Sequence, residues 1–222
     1  MRFAAFETSG DWCSVALWAE GEVAGIERRA INRHSELALP MLEELLQRAG
    51  LGMAQLDAVA FGAGPGSFTG LRIACGIAQG LAFARDLPVL GVSAFEAIAE
   101  EAAAPRVVAC IDARMREVYY SALEKREGRW RQVLPGECVS PQAAAPPPGE
   151  GWIGCGSGFS AYPDFLKTSV LIARPEVHPS AIAVARIAAP RLRAGEGIDA
   201  ALAAPLYIRD KVAFTRQELE NR

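Results

Sequence analysis

The order of elements predicted for the first half of the chain recurs in the second half, and this internal repeat constrains the fold most. Each half opens with a short apolar run that ends in an acid, residues 2–8 with Glu7 and residues 106–112 with Asp112. A polar turn and two alternating segments follow each run, a pattern typical of a three-stranded antiparallel meander. The repeat predicts two related α/β lobes, each with a mixed sheet and flanking helices, on either side of a cleft.

The first half contains the clearer elements. Residues 12–19 are apolar on both faces, which is typical of a strand that lies between two layers. Apolar residues at helical spacing predict a helix over 35–49, with Ser35 as its cap. A second helix is predicted over 71–84. Ser93 is followed three residues later by Glu96, a capping box that predicts the start of a third helix.

An alanine-rich stretch ending at Pro105 marks the predicted boundary between an amino-terminal lobe, 1–103, and a reduced carboxy-terminal lobe, 104–222. The second half has a proline-rich loop at 143–151, a glycine-rich turn at 154–158 and one helix after Ser180. A possible strand at 206–208 ends the predicted elements. The competing interpretation is coincidence, because short apolar runs that end in an acid are common.

The composition limits the function classes. Hydrophobic residues make up 51% and charged residues 22% of the 222 residues, which excludes wholesale disorder. The formal net charge is −3, whereas a protein that binds RNA alone through phosphate contacts is usually basic. RNA would therefore be reached through a partner or a local patch. A candidate patch in the second half, for which a solvated hairpin is the default interpretation, consists of Arg114, Arg116, Lys125, Arg126, Arg129 and Arg131.

The cysteines and the apolar runs indicate the compartment. An acid stands at position 7, and no run approaches the roughly 20 apolar residues of a spanning helix. The five cysteines form no C-x-x-C pair and are typical of reduced core thiols. We therefore expect a cytoplasmic protein without a membrane partner.

The segment 62–72 is the most specific motif, Gly-Ala-Gly-Pro-Gly-Ser-Phe-Thr-Gly-Leu-Arg. It follows a predicted strand and opens a helix, where backbone N–H groups can bind an anion. It is not a Walker loop, because no lysine follows the glycines, and Pro65 and Phe68 break the dinucleotide fingerprint. A phosphate-binding loop and an elaborate strand-to-helix turn both remain open.

The helix after this loop carries Gly76 and Gly80 on one face, each at a cost of about 1 kcal/mol relative to alanine. Close backbone approach explains such glycines, either by the chain's own sheet or by a helix of another protein. We hypothesise that this helix and the one over 35–49 form a docking face. Its predicted residues are Ser35, Leu39, Met41, Leu42, Leu45, Phe68, Leu71, Arg72, Cys75, Gly76, Gln79 and Gly80.

Candidates for chemistry are few. Two strand-end acids could hold a magnesium ion and phosphates across a cleft, although the simpler interpretation, two acids at the surface, is preferred. The candidates for a residual nucleotide site are Glu7, Thr8, Ser9, Asp112, Gly154 and Gly156. The two histidines, His34 and His178, have no second ligand at zinc spacing. We therefore predict no catalytic residue, no metal and no cofactor.

Several motifs together resemble the TsaB (YeaZ) family of bacterial tRNA threonylcarbamoyladenosine biosynthesis. They occur in family order along almost the whole chain, at residues 6–9, 34–36, 39–41, 64–72, 92–93, 112–115, 117–119 and 205–209. The resemblance implies an actin-like (ASKHA, RNase H-like) fold. One departure is Glu7, where the family usually has aspartate.

The resemblance also implies the partners. Members pair as a heterodimer with TsaD, which transfers the threonylcarbamoyl group to an adenosine beside the tRNA anticodon, and the ATPase TsaE joins that pair. The chain would then be an accessory scaffold, not an enzyme on its own, and would reach tRNA indirectly through the complex. Whether it forms a homodimer when the partner is absent stays open.

Two enzyme classes compete with this interpretation. A small actin-like sugar or acetate kinase would place Glu7, Asp112 and residues 154–158 around magnesium-ATP, and micromolar binding of magnesium-ATP by the isolated protein would favour it. A metallopeptidase is the other alternative. The histidine count opposes it, since no H-x-x-x-H pair occurs in the sequence.

Overall fold

A computed structural model describes residues 1–166 and 170–209, which form two five-stranded mixed sheets. The first sheet has the order β3-β2-β1-β4-β5 and contains β1 (Phe3–Glu7), β2 (Trp12–Ala19), β3 (Glu22–Arg29), β4 (Ala58–Gly64) and β5 (Val89–Ser93). The second has the order β8-β7-β6-β9-β10 and contains β6 (Arg106–Arg114), β7 (Glu117–Arg126), β8 (Arg129–Val139), β9 (Ile153–Cys155) and β10 (Ile172–Arg174).

The two sheets have the same topology. In each, the first three strands form an antiparallel meander, and the fourth and fifth strands run parallel to the first. The first strand is therefore central and buried in both sheets. This arrangement confirms the repeat and the predicted actin-like fold.

The described helices are α1 (His34–Arg48), α2 (Phe68–Phe83), α3 (Ala94–Ala102), α4 (Gly158–Ala161), α5 (Pro163–Leu166) and α6 (Ala181–Arg193). Ser67 caps α2, and the capping box at Ser93 is confirmed. Ser35 does not cap α1, because that helix begins at His34 and has no side-chain cap. Residues 206–208 are not a strand.

Among the described residues, no helix is both long and apolar enough to cross a membrane.

One helix from each half of the chain packs against the sheet of the other half. α3 follows β5 but buries Phe95 and Ile98 against the second sheet. α6 follows β10 but buries its alanine-rich face against Phe3 and Leu90 of the first sheet, on the side opposite α1 and α2. Each sheet therefore needs a helix from the other half to cover one face. The domain boundary near residue 103 stays a prediction from the sequence repeat.

Candidate functional site

A cleft of about 1010 Å³ lies between the two lobes. One wall is formed by the β1–β2 turn at residues 9–12 and by residues 65–71, which open α2. The other wall contains the equivalent β6–β7 turn from residue 111 to 114 and residues 156–157, and residues 206–209 cross between the walls. The repeat thus brings its two equivalent turns to opposite walls of one cleft.

The β1–β2 turn is covered from within the chain. Thr8 and Ser9 are buried, with 0% and 5% of their surfaces exposed. The Thr8 hydroxyl donates to the Gly70 carbonyl oxygen at 2.7 Å, and the Ser67 N–H donates to the Ser9 carbonyl oxygen at 2.7 Å. The glycine-rich loop therefore packs flat on this turn, as expected of an elaborate strand-to-helix turn.

A Gly70→Ala substitution is expected to destabilise the chain, because an added Cβ would overlap the Thr8 carbonyl oxygen. The Thr8 carbonyl is a backbone group and the added Cβ is bonded directly to the backbone of residue 70. The overlap can therefore be relieved only if the loop shifts. Overpacking of this kind costs about 1–3 kcal/mol. Urea denaturation followed by circular dichroism measures the change. Unchanged stability would show that the loop does not pack on the turn.

Glu7 lies beneath this turn rather than at the surface, which makes the surface-acid interpretation wrong for this residue. It is 1% exposed, and its Oε1 accepts from the Ser9 N–H at 2.5 Å. Its Oε2 has no hydrogen-bond partner among residues 1–166 and 170–209 and lies against Gly62, where an added Cβ would overlap it. Burial raises the pKa of this carboxyl to about 7, only partly offset by the bonds from Ser9.

Asp112 holds the equivalent position in the second lobe but closes its own turn. Its Oδ1 accepts from the Arg114 N–H at 2.9 Å, and its Oδ2 lies 3.1 Å from the Arg114 guanidinium. Its N–H donates to the Ser157 hydroxyl at 3.0 Å. The carboxylate is thus paired with a neighbouring arginine, and the two acids do not form a matched pair.

The two glycines predicted near a nucleotide are both buried. A Cβ at Gly154 would enter the Phe159 ring, and one at Gly156 would overlap the Cys110 carbonyl oxygen. Gly156 also has φ +110°, a region that disfavours other residues. Packing against β6 and α4 accounts for both.

The two histidines have separate environments in the cleft wall. His34 is 7% exposed with no partner on Nδ1, and burial lowers its pKa. His178 stacks on Trp12 at 5.1 Å, and its Nε2 lies 3.1 Å from Glu27, whose hydrogen bond raises the pKa of the imidazole. In the part of the chain that the structure describes, no three His, Cys, Asp or Glu side chains are grouped to hold a metal.

Comparison with known proteins decides the family. The model of the family described as tRNA N6-adenosine threonylcarbamoyltransferase (TsaD) matches residues 26–151. The tRNA threonylcarbamoyladenosine biosynthesis protein TsaB of Haemophilus influenzae is 38% identical over 225 residues, which cover 96% of this chain and 95% of that protein. The chain belongs to the TsaB family.

Two further similarities agree. TsaB of Escherichia coli is 38% identical, with 97% of this chain and 98% of that protein covered. The solved structure of YeaZ from Pseudomonas aeruginosa matches with a TM-score of 0.88 and 37% identity, and covers 93% of this chain and 99% of that one.

The structure of this TsaB-family chain divides the predicted docking residues. Five of them are buried in the chain's own core: Met41, Leu42, Leu45, Leu71 and Cys75. These five cannot touch a partner in this conformation. Gln79 is half-buried, and six are exposed: Ser35, Leu39, Phe68, Arg72, Gly76 and Gly80. The proposed docking face narrows to the exposed side of the two helices.

Among the described residues, and apart from the backbone of α2 itself, no heavy atom lies within 4 Å of the position that a Cβ would take at Gly76 or Gly80. Their own sheet therefore does not explain them, which removes one of the two explanations left open by the sequence. The other explanation, close approach by a helix of another protein, stays a prediction.

The predicted basic cluster of this TsaB-family chain is not one patch. Arg114 and Arg116 lie at the β6–β7 turn, whereas the remaining members lie at or near the β7–β8 turn, at the other end of β7. Three of those side chains are held by acids, in the pairs Lys125–Glu100, Arg126–Glu124 and Arg129–Glu196. A solvated hairpin therefore accounts for the basic residues at the β7–β8 turn.

Sequence reasoning missed one functional candidate, the segment 203–209. It crosses the cleft in contact with both lobes, as described below. Its only sequence signal was the run 205–209, which carried part of the family resemblance but had no role assigned to it.

Proposed function

We propose that the chain acts in the biosynthesis of threonylcarbamoyladenosine in tRNA, as a non-catalytic subunit that docks onto a TsaD-like transferase. The observation that carries this proposal is 38% identity over nearly the whole chain to two relatives named for this pathway. The docked pair carries out the transfer, and this chain contributes binding energy and positioning rather than chemistry.

The absence of a catalytic role is supported by how the candidate positions are used. Thr8 and Ser9 are covered by the glycine-rich loop, and Asp112 is paired with Arg114. A phosphate in this cleft would have to displace those contacts. No observation favours the kinase or the metallopeptidase.

Docking through α1 and α2 is supported by the family relationship. The TsaD family model matches residues 26–151, a range that contains both helices. A TsaD-like partner therefore carries related helices, so that the exposed glycine face of α2 can pack against a similar face. The distance between packed helices depends on the side chains at the contact, and glycines give the shortest distance.

The remaining partners follow from this arrangement. A TsaE-like ATPase would join the docked pair, with the lobe cleft as its contact on this chain. The tRNA would be bound through the complex, which agrees with the net charge of −3.

Deleting the gene is expected to remove threonylcarbamoyladenosine from total tRNA. Nucleoside mass spectrometry measures the loss, and a plasmid copy of the wild-type gene should restore the modification. An unchanged level in a strain with no second copy of the gene would defeat the proposal.

A further inference from the structure

The segment 203–209, called the strap below, follows α2 and then crosses to the second lobe. Its first residue, Ala203, accepts a hydrogen bond from the Gln79 amide at 3.0 Å and one from the Cys75 thiol at 3.6 Å. Further along, the Leu206 N–H donates to the Ala63 carbonyl oxygen at 2.7 Å. The strap is thereby fixed to the same lobe that carries the docking helices.

Tyr207 fixes the middle of the strap to the start of α2. The Arg72 Nε donates to the Tyr207 hydroxyl at 3.1 Å, and the Phe68 and Tyr207 rings lie 5.7 Å apart. The Arg72 guanidinium also lies 3.7 Å from the centre of the Phe68 ring. Cation–π contact of this kind contributes about 0.5–1 kcal/mol at exposed sites. The three side chains form one exposed stack.

Arg209 anchors the end of the strap in the second lobe. Its Nη2 donates to Glu117 at 2.7 Å and to the Ala113 carbonyl oxygen at 3.0 Å, beside the β6–β7 turn. Both charged side chains of this pair are largely buried, at 15% and 17% exposure. A charge-assisted hydrogen bond between largely buried groups is stronger than a surface ion pair.

The strap borders the glycine face of α2. Successive residues of an α-helix are rotated by 100° about its axis. By this rotation, the α2 side chains that touch the strap form one stripe, and Gly76 and Gly80 lie on the neighbouring stripe. The strap-contacting side chains are those of Phe68, Arg72, Cys75 and Gln79. The 3₁₀ turn Ala200–Leu202, which leads into the strap, also packs on α2. Large apolar side chains are exposed along this border: Phe68, Phe83, Leu202, Leu206 and Tyr207.

We propose that the 3₁₀ turn and the strap form the second wall of the partner-docking surface, beside the glycine floor of α2. The inference rests on the proposed function, and its occupant is an apolar helix face of the TsaD-like partner. The exposed side chains of the wall, Leu202, Leu206 and Tyr207, are uncharged. An apolar helix matches this wall, whereas an RNA backbone would need free cations there.

The decisive variant is Leu202→Glu, because Leu202 is 71% exposed and its replacement removes no core contact. Leu171→Glu is the matched control, since Leu171 is 74% exposed and lies in the second half, just before β10. Binding of the purified TsaD-like partner is measured by calorimetry with the full chain. We expect at least tenfold weaker binding for Leu202→Glu, wild-type binding for Leu171→Glu, and melting temperatures that match the wild type.

Four outcomes would overturn the inference. If Leu202→Glu binds the partner with wild-type affinity, the 3₁₀ turn and the strap are not part of the docking surface, whereas the docking function itself still stands. Equal losses in Leu202→Glu and Leu171→Glu indicate a general charge effect. Failure of the wild-type chain to bind the partner defeats the docking function itself, and this inference with it. Binding of tRNA by the isolated chain that Leu202→Glu weakens would assign the wall to RNA instead.

Arg209 is a positioning residue in this proposal, since it holds the strap without touching the partner. Arg209→Ala should weaken partner binding several-fold and also speed hydrogen exchange at the Leu206 amide, which bonds Ala63. Weaker binding with unchanged exchange at Leu206 would contradict the positioning role, because Arg209 would then act at the interface directly.

Discussion

A Gly80→Leu variant is expected to lose partner binding while remaining at least as stable as the wild-type chain. In the part of the chain that the structure describes, no other element comes within 4 Å of the added Cβ, and the backbone at Gly80 is helical. Replacing glycine by leucine inside a helix improves stability by somewhat less than 1 kcal/mol. In the docked pair, the same side chain would push the partner helix away. We expect affinity to fall at least about 100-fold, equivalent to roughly 2.7 kcal/mol.

Calorimetry with the TsaD-like partner and thermal melting of the variant together test this prediction. Gly80→Ala should show an intermediate loss, because the cost scales with the volume inserted between the helices. Arg186→Leu is the matched control: it adds a leucine to an exposed position of α6, on the opposite side of the first sheet. A folded Gly80→Leu chain that binds with wild-type affinity would move the docking face away from α2.

The repeat was predictable because its signal is local. Alternating apolar residues, an acid at each strand end and turn residues are all properties of neighbouring positions, and they recur in both halves. The sheet to which each helix packs was not predictable. α3 and α6 each cover the sheet of the other half, and nothing in their own residues distinguishes the two surfaces.

The docking residues show a related limit. Helical periodicity identifies an apolar face, but the chain's own core is the first surface to cover it, and Met41, Leu42 and Leu45 are buried there. The glycines of α2 show the same limit. Gly70 packs on Thr8 and Gly80 faces open space, yet both are small residues in one helix. Only tertiary structure separates the glycine that packs within the chain from the one whose face is open among the described residues.

The strap depends on pairings far apart in sequence. Arg209 meets Glu117 across 92 positions, and Leu206 meets Ala63. Single-sequence patterns carry no signal for such contacts. The family-like runs 64–72, 112–119 and 205–209 were each visible in the sequence, but their convergence around one cleft is a result of the fold.

The pH dependence of stability is expected to be controlled largely by Glu7. Its pKa is raised from 4.5 to about 7 in the folded chain, so between these values the folded state binds more protons than the unfolded state. The free energy of unfolding therefore falls as pH rises from about 4.5 to about 7, and this contribution is constant above that. The total loss from this one carboxyl is roughly 3 kcal/mol.

Glu7→Gln should remove this loss. The amide can accept the Ser9 N–H as the carboxyl does, and it carries no charge to bury. Relative to wild type, the variant should gain roughly 3 kcal/mol of unfolding free energy between pH 4.5 and pH 8. The pKa shifts of His34 and His178 are present in both proteins. Their effects on the unfolding free energy therefore cancel to first order when the variant is compared with the wild type.

Urea denaturation of both proteins at several pH values measures the difference. Glu43→Gln, at an exposed position of α1, controls for the loss of one carboxylate. Parallel stability profiles for wild type and Glu7→Gln would contradict the prediction, because a carboxyl that ionises at the same pH in both states cannot make stability depend on pH. The hydrogen bond from the Ser9 N–H favours the ionised Glu7 carboxylate but offsets only part of the cost of burying it, so ionisation of this acid weakens the fold near neutral pH.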